Sequence, residues 1–291
     1  MADLRAFGMD VSRWDEMFDW DMAVDKLGVV FGAARATISW GYQDSWFPRN
    51  WAEMKRKKIL RFAYYVIYGG EDPIRQADNF LRVVGDDWDC AFPVNDIEVR
   101  SVGPQQYTAT AMRMNEKIEK ESGRKPVMYG SPVKLDEILL PGAWRKEHDW
   151  WIAHYLVDRS KEMTSPPRLP KDVATYLIHQ TSDMKPTPAG LLPKKCTDTN
   201  RWNGDALAVL GYAGLAGGDV PPPVPPVQLP RYVTVTVSRA NIREKPNQFS
   251  ADLGDTYAGD TWPVLGIELV DGETWYKIGG YIAGWIVKEQ P

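Results

Sequence analysis

Two carboxylates lie close together in an apolar stretch of the sequence, the segment FPVNDIEV at residues 92–99. The apolar residues predict a buried strand, and side chains alternate along a strand, so Asp96 and Glu98 would share one face while Ile97 takes the other. Two acids on one buried face repel each other and lose hydration. The pair therefore favours acid–base chemistry in which one carboxyl group holds a proton. The alternative is a strand that has already left the core, with both acids solvated.

Strands and helices alternate before and after this pair, which predicts a parallel sheet with helical crossovers. Eight predicted strands and about five predicted helices favour closure into a flattened (β/α)8-like barrel with a degraded second half. Such barrels place their chemistry at the carboxyl ends of the strands. Asp10 and Asp198 also fall at predicted strand ends, so we expect four acids to meet at one mouth. Taken singly, Asp10 and Asp198 could instead cap turns or helices.

The composition sets limits on the class of protein. A length of 291 residues favours about two domains, and a net charge of −4 gives no basic footprint for a nucleic-acid partner. No apolar run is long enough to cross a bilayer, and the amino terminus lacks the apolar region of a signal peptide. The two cysteines, Cys90 and Cys196, predict neither a disulfide framework nor a metal site, and we expect no cofactor. The 13 Trp and 13 Tyr residues suit stacking on sugars or filling a barrel.

The composition changes sharply over residues 213–230, where glycines run into a polyproline segment at 221–226. Because this stretch separates two folded regions, we interpret it as a stiff spacer, and a ligand for an SH3-type groove is the alternative. Residues 231–291 contain short alternating strands and turn signals. They predict a small all-β barrel.

The ordered motifs of residues 6–212 resemble those of the glycoside hydrolase family 25 lysozymes, which are N-acetylmuramidases. The matching segments are Gly8-Met9-Asp10-Val11-Ser12, Ala63-Tyr64-Tyr65, Asp96-Ile97-Glu98, Pro126-Val127-Met128-Tyr129, Trp151-Ile152-Ala153-His154-Tyr155, His179-Gln180-Thr181 and Asp198-Thr199-Asn200. The resemblance implies a catalytic domain at residues 1–212 with eight strands and five helices. It also implies cleavage of the β-1,4 bond between N-acetylmuramic acid and N-acetylglucosamine in bacterial peptidoglycan.

The resemblance assigns roles to particular residues. Glu98 would be the general acid, and Asp96 beside it would favour its protonated form by like-charge repulsion. Asp10 and Asp198 would be electrostatic and water-orienting partners. The sugar groove would be lined by Tyr64, Tyr129, Trp151, Tyr155 and Gln180. Residues two apart on a strand have Cα atoms about 6–7 Å apart, a spacing that fits neither the retaining nor the inverting geometry alone.

One segment departs from the family pattern. Where the family often carries Lys-Ala-Thr-Glu-Gly on the second strand, this chain has Arg35-Ala36-Thr37-Ile38-Ser39-Trp40-Gly41. The acidic residue is absent, which puts the family's subsite details in doubt for this chain. The four acids of the predicted mouth are all present, so we still expect an active enzyme.

The tail resembles a bacterial SH3 domain of the cell-wall-binding kind. The matching segments are Asn241-Ile242-Arg243, Trp275-Tyr276-Lys277-Ile278 and Gly284-Trp285-Ile286. With no signal peptide, the resemblance implies a phage-type endolysin, made in the host cytoplasm and released to the wall by a holin. A non-catalytic wall- or glycan-binding protein on an inactive barrel is the main alternative, and a barrel acting on another glycan such as chitin is a third. The sequence does not reveal the oligomeric state, and a monomer is assumed.

Overall fold

The computed structural model describes residues 5–156, 164–186, 196–214, 232–264, 266–270, 273–278, 281–283 and 287–290. Several features of the sequence lie outside these residues. They are the polyproline segment, the Asp271-Gly272 and Gly279-Gly280 turns and the Gly284-Trp285-Ile286 motif. The domain boundaries at 212 and 230 stay predictions.

Eight strands of the first region close on themselves to form a barrel, because β1 pairs with both β2 and β9. The strands are β1 (Phe7–Val11), β2 (Val29–Ile38), β4 (Leu60–Val66), β5 (Ala91–Asp96), β6 (Val127–Gly130), β7 (Trp150–Ala153), β8 (Ile178–Pro186) and β9 (Cys196–Trp202). The short strand β3 (Tyr42–Gln43) folds back antiparallel on the end of β2. The predicted closed α/β barrel of eight strands is confirmed.

Six α-helices, rather than about five, occur in the described part of the chain. They are α1 (Trp20–Asp25), α2 (Phe47–Arg56), α3 (Pro73–Val84), α4 (Pro104–Ser122), α5 (Pro132–Ile138) and α6 (Ala206–Tyr212), with 3₁₀ helices at Arg13–Asp15 and Ala143–Glu147. The sequence prediction missed α6, a short helix that begins at Asp205, whose side chain accepts a hydrogen bond from the Ala208 N–H. None of these helices combines the length and apolar character needed to cross a bilayer.

The prediction of a fully parallel barrel was wrong for β9, which runs antiparallel to both β8 and β1. A parallel crossover needs about a dozen residues or more, and the connection from Pro186 to Cys196 is shorter than that. Because β9 is reversed, its beginning lies at the carboxyl ends of the other strands. Asp198 is therefore directly opposite Asp10 in the β1–β9 register.

The strand that carries the acid pair ends at Asp96, two residues earlier than the prediction required for Glu98. The neighbouring strand β4 ends at Val66, opposite Asp96, so β5 has no β4 residue to pair with beyond Asp96. The Ile97 N–H still donates to the Tyr129 carbonyl at 3.0 Å. Ile97 is fully buried in the core cluster outside the barrel, whereas Asp96 is buried and Glu98 is half-buried. The predicted alternation of faces thus persists past the end of the strand.

The barrel interior below the mouth is filled by aromatic and aliphatic side chains. Helix α6 closes the end opposite the mouth, because it follows the reversed strand β9. Its Tyr212 ring lies 4.6 Å from the Phe92 ring and 5.2 Å from the Trp202 ring, measured between centroids. Helix α6, which the sequence prediction missed, therefore covers the end of the barrel opposite the mouth.

Gly8 makes room for this packing. A Cβ atom at position 8 would lie 2.2 Å from the Phe31 ring, which itself packs against Phe62 and Trp202.

We expect Gly8→Ala to destabilise the protein by about 1–3 kcal/mol, because the overpacked ring has no free space to enter. Urea unfolding measures the effect. Gly211→Ala, in α6 with no atom within 4 Å of the added methyl group, is the matched control and should slightly stabilise the protein. A Gly8→Ala protein as stable as the parent would contradict this packing.

The tail is entirely β-structure where it is described, as predicted. One sheet contains β10 (Tyr232–Val235), β13 (Thr261–Pro263) and β17 (Val287–Gln290), and the other contains β11 (Arg239–Arg243), β12 (Asp252–Tyr257), β14 (Gly266–Val270), β15 (Glu273–Lys277) and β16 (Tyr281–Ala283). All of the strand pairs are antiparallel. The tail has a core of its own, which includes Val233, Trp262 and Ile282. Its relation to bacterial SH3 domains stays a prediction.

Candidate active site

Polar side chains form one layer at the carboxyl ends of the barrel strands, above the aromatic filling. The strand registers place its members in neighbouring pairs, with Asp10 opposite Asp198 and Asp96 opposite Tyr129. We call this set the polar layer. Its members are Asp10, Arg35, Tyr64, Asp96, Tyr129, Gln180, Asp198 and Asn200.

Asp10 is buried and held by two amide donors. Its Oδ2 accepts hydrogen bonds from Asn200 Nδ2 at 2.7 Å and from Gln180 Nε2 at 2.9 Å. Burial raises the pKa of Asp10 to about 6, although these two hydrogen bonds favour the ionised form. A further side-chain hydrogen bond joins Asp10 to Asp198. Asp198 thus acts with the two amides to favour the ionised form of Asp10, against the larger effect of burial.

Gln180 connects Asp10 to the two tyrosines on the far side of the mouth. Its Oε1 accepts hydrogen bonds from Tyr129 Oη at 2.8 Å and from Tyr155 Oη at 3.0 Å, while its amide donates to Asp10. These three hydrogen bonds thus fix the orientation of the Gln180 amide group. The Tyr155 side chain remains 45% exposed, so solvent or a ligand can reach this hydrogen-bonded network at Tyr155.

Asp96 is buried without an obvious counterion. Burial raises its pKa well above the ordinary range, and the charges of Glu98 and Asp10 raise it further, while Arg35 and Lys134 oppose the shift. Its Oδ1 has no hydrogen-bond partner among the described residues. Asp96 therefore combines a preference for the protonated state with an oxygen that is free to receive a donor from a bound molecule.

Tyr64 lies among the acids. Burial raises its pKa, and the charges of Asp10, Asp96 and Asp198 add to the effect, while Arg35 opposes it. The same groups therefore surround one phenol from several strands. Glu98 completes the set, because its charge acts on both Asp96 and Tyr129. The structure thus brings the four sequence-predicted acids together at one mouth, with Tyr64, Tyr129, Tyr155 and Gln180 around them.

Trp151 occupies a different position from the other predicted groove residues. Its side chain is only 2% exposed, and its indole N–H donates to Asn200 Oδ1 at 2.9 Å. The Trp151 ring packs edge-on against the Tyr129 ring at 5.1 Å between centroids. Trp151 therefore supports the polar layer from beneath and orients Asn200, which in turn holds Asp10.

Two members of the polar layer were not predicted as site residues. Asn200 lies two residues after Asp198 on β9, so the alternation of the strand puts both on the inner face. This two-residue spacing from Asp198 was the sequence signal that could have identified Asn200 as a site residue. Arg35 was noted only as part of the departure from the family pattern. Asp44 Oδ2 accepts a hydrogen bond from Arg35 Nε at 2.8 Å and holds the guanidinium in place. The positive charge of Arg35 lowers the pKa of Asp96 and of Tyr64, against the effect of burial.

No group of three or more His, Cys, Asp or Glu side chains in the described parts of the chain is arranged to hold a metal ion. His179 is fully buried and bonded through Nε2 to the His154 carbonyl and through Nδ1 to Arg5, contacts that fix neighbouring segments. The described side chains at this mouth carry carboxyl groups, phenols, amides and the guanidinium of Arg35.

A closed α/β barrel with an acid-lined mouth is the class of structure that these features define. Residues 9–188 match the model of the glycosyl hydrolases family 25. The chain belongs to this family.

Individual proteins are similar to this chain in sequence or in fold. An uncharacterized protein of Escherichia coli K12, YegX, is 31% identical over 164 residues, which are 53% of this chain and 58% of that protein. The match thus spans little more than half of the curated relative's length. A bacterial lysozyme from Streptomyces coelicolor superposes with a TM-score of 0.64 at 22% identity, covering 73% of this chain and 98% of that one. A family 25 glycosyl hydrolase from Bacillus anthracis gives 0.60 at 22% identity, covering 69% and 90%.

Proposed function

We propose that this protein is a peptidoglycan hydrolase that cleaves the β-1,4 bond between N-acetylmuramic acid and N-acetylglucosamine. The observation that carries the proposal is the meeting of Asp10, Asp96, Glu98 and Asp198 at one end of the barrel. Glycosidic hydrolysis needs a proton donor for the leaving oxygen and a second group that stabilises the anomeric centre. Membership of the family and the lysozyme among the solved structures of the same fold support this substrate class.

Glu98 is the proton donor in this proposal, because it is half-buried at the rim while Asp96 lies deeper. Burial raises the pKa of Asp96, and the charge of Glu98 raises it further, so Asp96 favours its protonated form before substrate binds. A substrate N–H that donates to the free Oδ1 of Asp96 favours its ionised form. The proton then resides on Glu98, where the leaving oxygen can receive it.

The bond-breaking step follows from this arrangement. The bond between the anomeric carbon and the glycosidic oxygen breaks, and Glu98 protonates the leaving oxygen. The carbonyl oxygen of the substrate's own 2-acetamido group forms the new bond to the anomeric carbon, with Asp96 holding the acetamido N–H. Water then attacks the anomeric carbon, the bond from this carbon to the acetamido oxygen breaks, and the acetamido group is regenerated. The proton of the attacking water passes to Glu98, which restores the enzyme.

Asp10, Asp198 and Gln180 orient groups around this reaction. Burial raises the pKa of Asp10 to about 6, so Asp10 can exchange a proton with a water molecule near neutral pH, and Asp198 beside it helps to orient that water. Tyr64, Tyr129 and Tyr155 present phenols to the sugar hydroxyls, and Trp151 supports them from below.

Product analysis tests the proposal against its alternatives. Purified cell walls are digested with the full-length protein, and the new reducing ends are reduced with borohydride and identified by mass spectrometry. A muramidase gives reduced N-acetylmuramic acid at the new ends. Reduced N-acetylglucosamine would assign another bond, activity on chitin alone would assign another glycan, and an absence of new ends would leave a glycan-binding barrel.

The role of the tail follows the same proposal. A cell-wall-binding tail joined to the barrel raises the local concentration of substrate at the active site. We place the action of the protein on the bacterial wall, as an endolysin that a holin releases. Wall pelleting with residues 231–291 deleted tests the tail: the deletion should reduce the bound fraction and leave hydrolysis of soluble glycan fragments unchanged.

A further inference from the structure

An exposed tryptophan lies at the rim of the barrel mouth and has no part in the chemistry proposed above. Trp40 occupies the turn between β2 and β3, directly after the carboxyl end of β2. It is therefore on the same end of the barrel as the polar layer. Its side chain is 42% exposed. This is also the segment in which the chain departs from the family pattern.

The indole ring is fixed by two contacts from a neighbouring segment. Its Nε1 donates to Glu71 Oε2 at 3.1 Å, and the Arg75 guanidinium lies over the ring, 4.0 Å from the centroid. Glu71 belongs to the connection after β4, and Arg75 belongs to the first turn of α3, which the Asp72 side chain caps. One ring face is thus covered and one edge anchored, and the exposed area is left to the opposite face.

The turn that carries Trp40 is held in place as well. The Ser39 N–H donates to the Val66 carbonyl at 2.9 Å, and Asn79 Nδ2 donates to the carbonyls of Ser39 at 3.0 Å and Tyr42 at 3.1 Å. Ser39 has a positive φ of 50°, a conformation that costs energy for a residue other than glycine. The surrounding bonds therefore maintain a strained turn that presents the ring in one orientation.

We propose that Trp40 is a stacking platform for a sugar ring of the glycan strand, at a distance from the bond that is cut. The inference rests on the proposed function. An open aromatic face matches the flat C–H face of a pyranose, and the Glu71 carboxylate at the edge of the ring can pair with the sugar's hydroxyls. Trp40 is five residues beyond Arg35 of the polar layer, so the chain separates them by at most about 17 Å.

This platform makes affinity depend on the length of the glycan. A short glycan that occupies only the polar layer does not reach Trp40, whereas a longer strand contacts both. Because the ring is already oriented before binding, little conformational entropy is lost when the sugar stacks on it. The residues that replace the family's acidic segment would thus contribute a subsite of a different chemical kind.

Calorimetric titration of the full chain with N-acetylglucosamine oligomers tests the platform. All variants carry Glu98→Gln so that the probe is not cut. We expect Trp40→Ala to weaken binding of the hexamer about tenfold and to leave binding of the dimer unchanged. Trp40→Tyr, which keeps an aromatic face, should recover most of the affinity. Leu207→Ala, an exposed residue of α6 at the closed end of the barrel, is the control and should bind as the parent does.

Three results would overturn the inference. They are hexamer binding that Trp40→Ala does not change, an equal loss for dimer and hexamer, and no hexamer binding by the Glu98→Gln parent. Wall hydrolysis separates this outcome from the proposed function. If the wild-type protein cuts walls and Trp40→Ala cuts them equally well, only the platform is wrong. If the wild-type protein cuts no wall, the proposed function fails whatever Trp40 binds.

Discussion

Replacing Glu98 with Gln should reduce the release of reducing ends from purified cell walls by about a thousandfold. The glutamine side chain keeps the shape and hydrogen-bonding capacity of Glu98 but cannot deliver a proton to the leaving oxygen. Loss of a positioned general acid typically costs 10²–10⁴ in rate. Because Glu98 is half-buried beyond the end of β5 and no hydrogen bond joins its side chain to another described residue, the fold should be retained.

The control for this variant is Glu116→Gln, on the exposed face of α4. It makes the same chemical change away from the mouth and should cut walls at the parent rate. Circular dichroism and thermal unfolding establish that both variants are folded. A Glu98→Gln protein that clears walls as fast as the parent would eliminate Glu98 as the proton donor.

Replacing Asp10 with Asn should change stability and activity in opposite directions. The raised pKa of Asp10, about 6 in the folded protein against 3.8 for the free side chain, means that the folded state binds more protons than the unfolded state between these pH values. The protonated group's contribution to stability is therefore fully present below pH 4 and is lost as the pH rises through about 6. By this linkage, the ionised Asp10 costs the protein about 3 kcal/mol at pH 7.

Asparagine removes that cost. Its side-chain oxygen can still accept from Gln180 and Asn200, so the two amide donors keep their partner. We expect urea unfolding at pH 7 to show the Asp10→Asn protein more stable than the parent. The difference should shrink at pH 4, where the parent carboxyl is mostly protonated. Wall hydrolysis should fall by at least about tenfold, because asparagine cannot exchange a proton with water as the carboxyl group of Asp10 can.

The matched control is Asp86→Asn, an exposed aspartate after α3. It tests whether loss of a negative charge alone changes stability. The assignment of Asp10 would be wrong if Asp10→Asn were less stable than the parent at pH 7, or if its stability difference were the same at both pH values. Burial also raises the pKa of Asp96, so the stability of the parent decreases with rising pH for a second reason. The quantity that isolates Asp10 is therefore the difference in stability between parent and variant at each pH.

The sequence determined the acids and the strands that carry them. Alternation along residues 92–99 put Asp96 and Glu98 on one face and Ile97 on the other, and the structure keeps that arrangement although the strand itself ends at Asp96. Periodicity also determined the helices with strong caps, such as α3 with its Asp72 side chain and Pro73. These features depend on local geometry, and local geometry is what residue spacing encodes.

Tertiary structure alone decided which groups meet and in what protonation state. The reversal of β9 brings Asp198 opposite Asp10, and burial at that place in the fold raises the pKa of Asp10 to about 6. Trp151 looked like a groove residue by its type, but its depth in the barrel makes it a support for Asn200. Helix α6 has a weak sequence signal, because its stability comes from plugging the barrel end rather than from its own residues. Burial, register and pairing are sums over distant parts of the chain, which is why spacing along the sequence does not contain them.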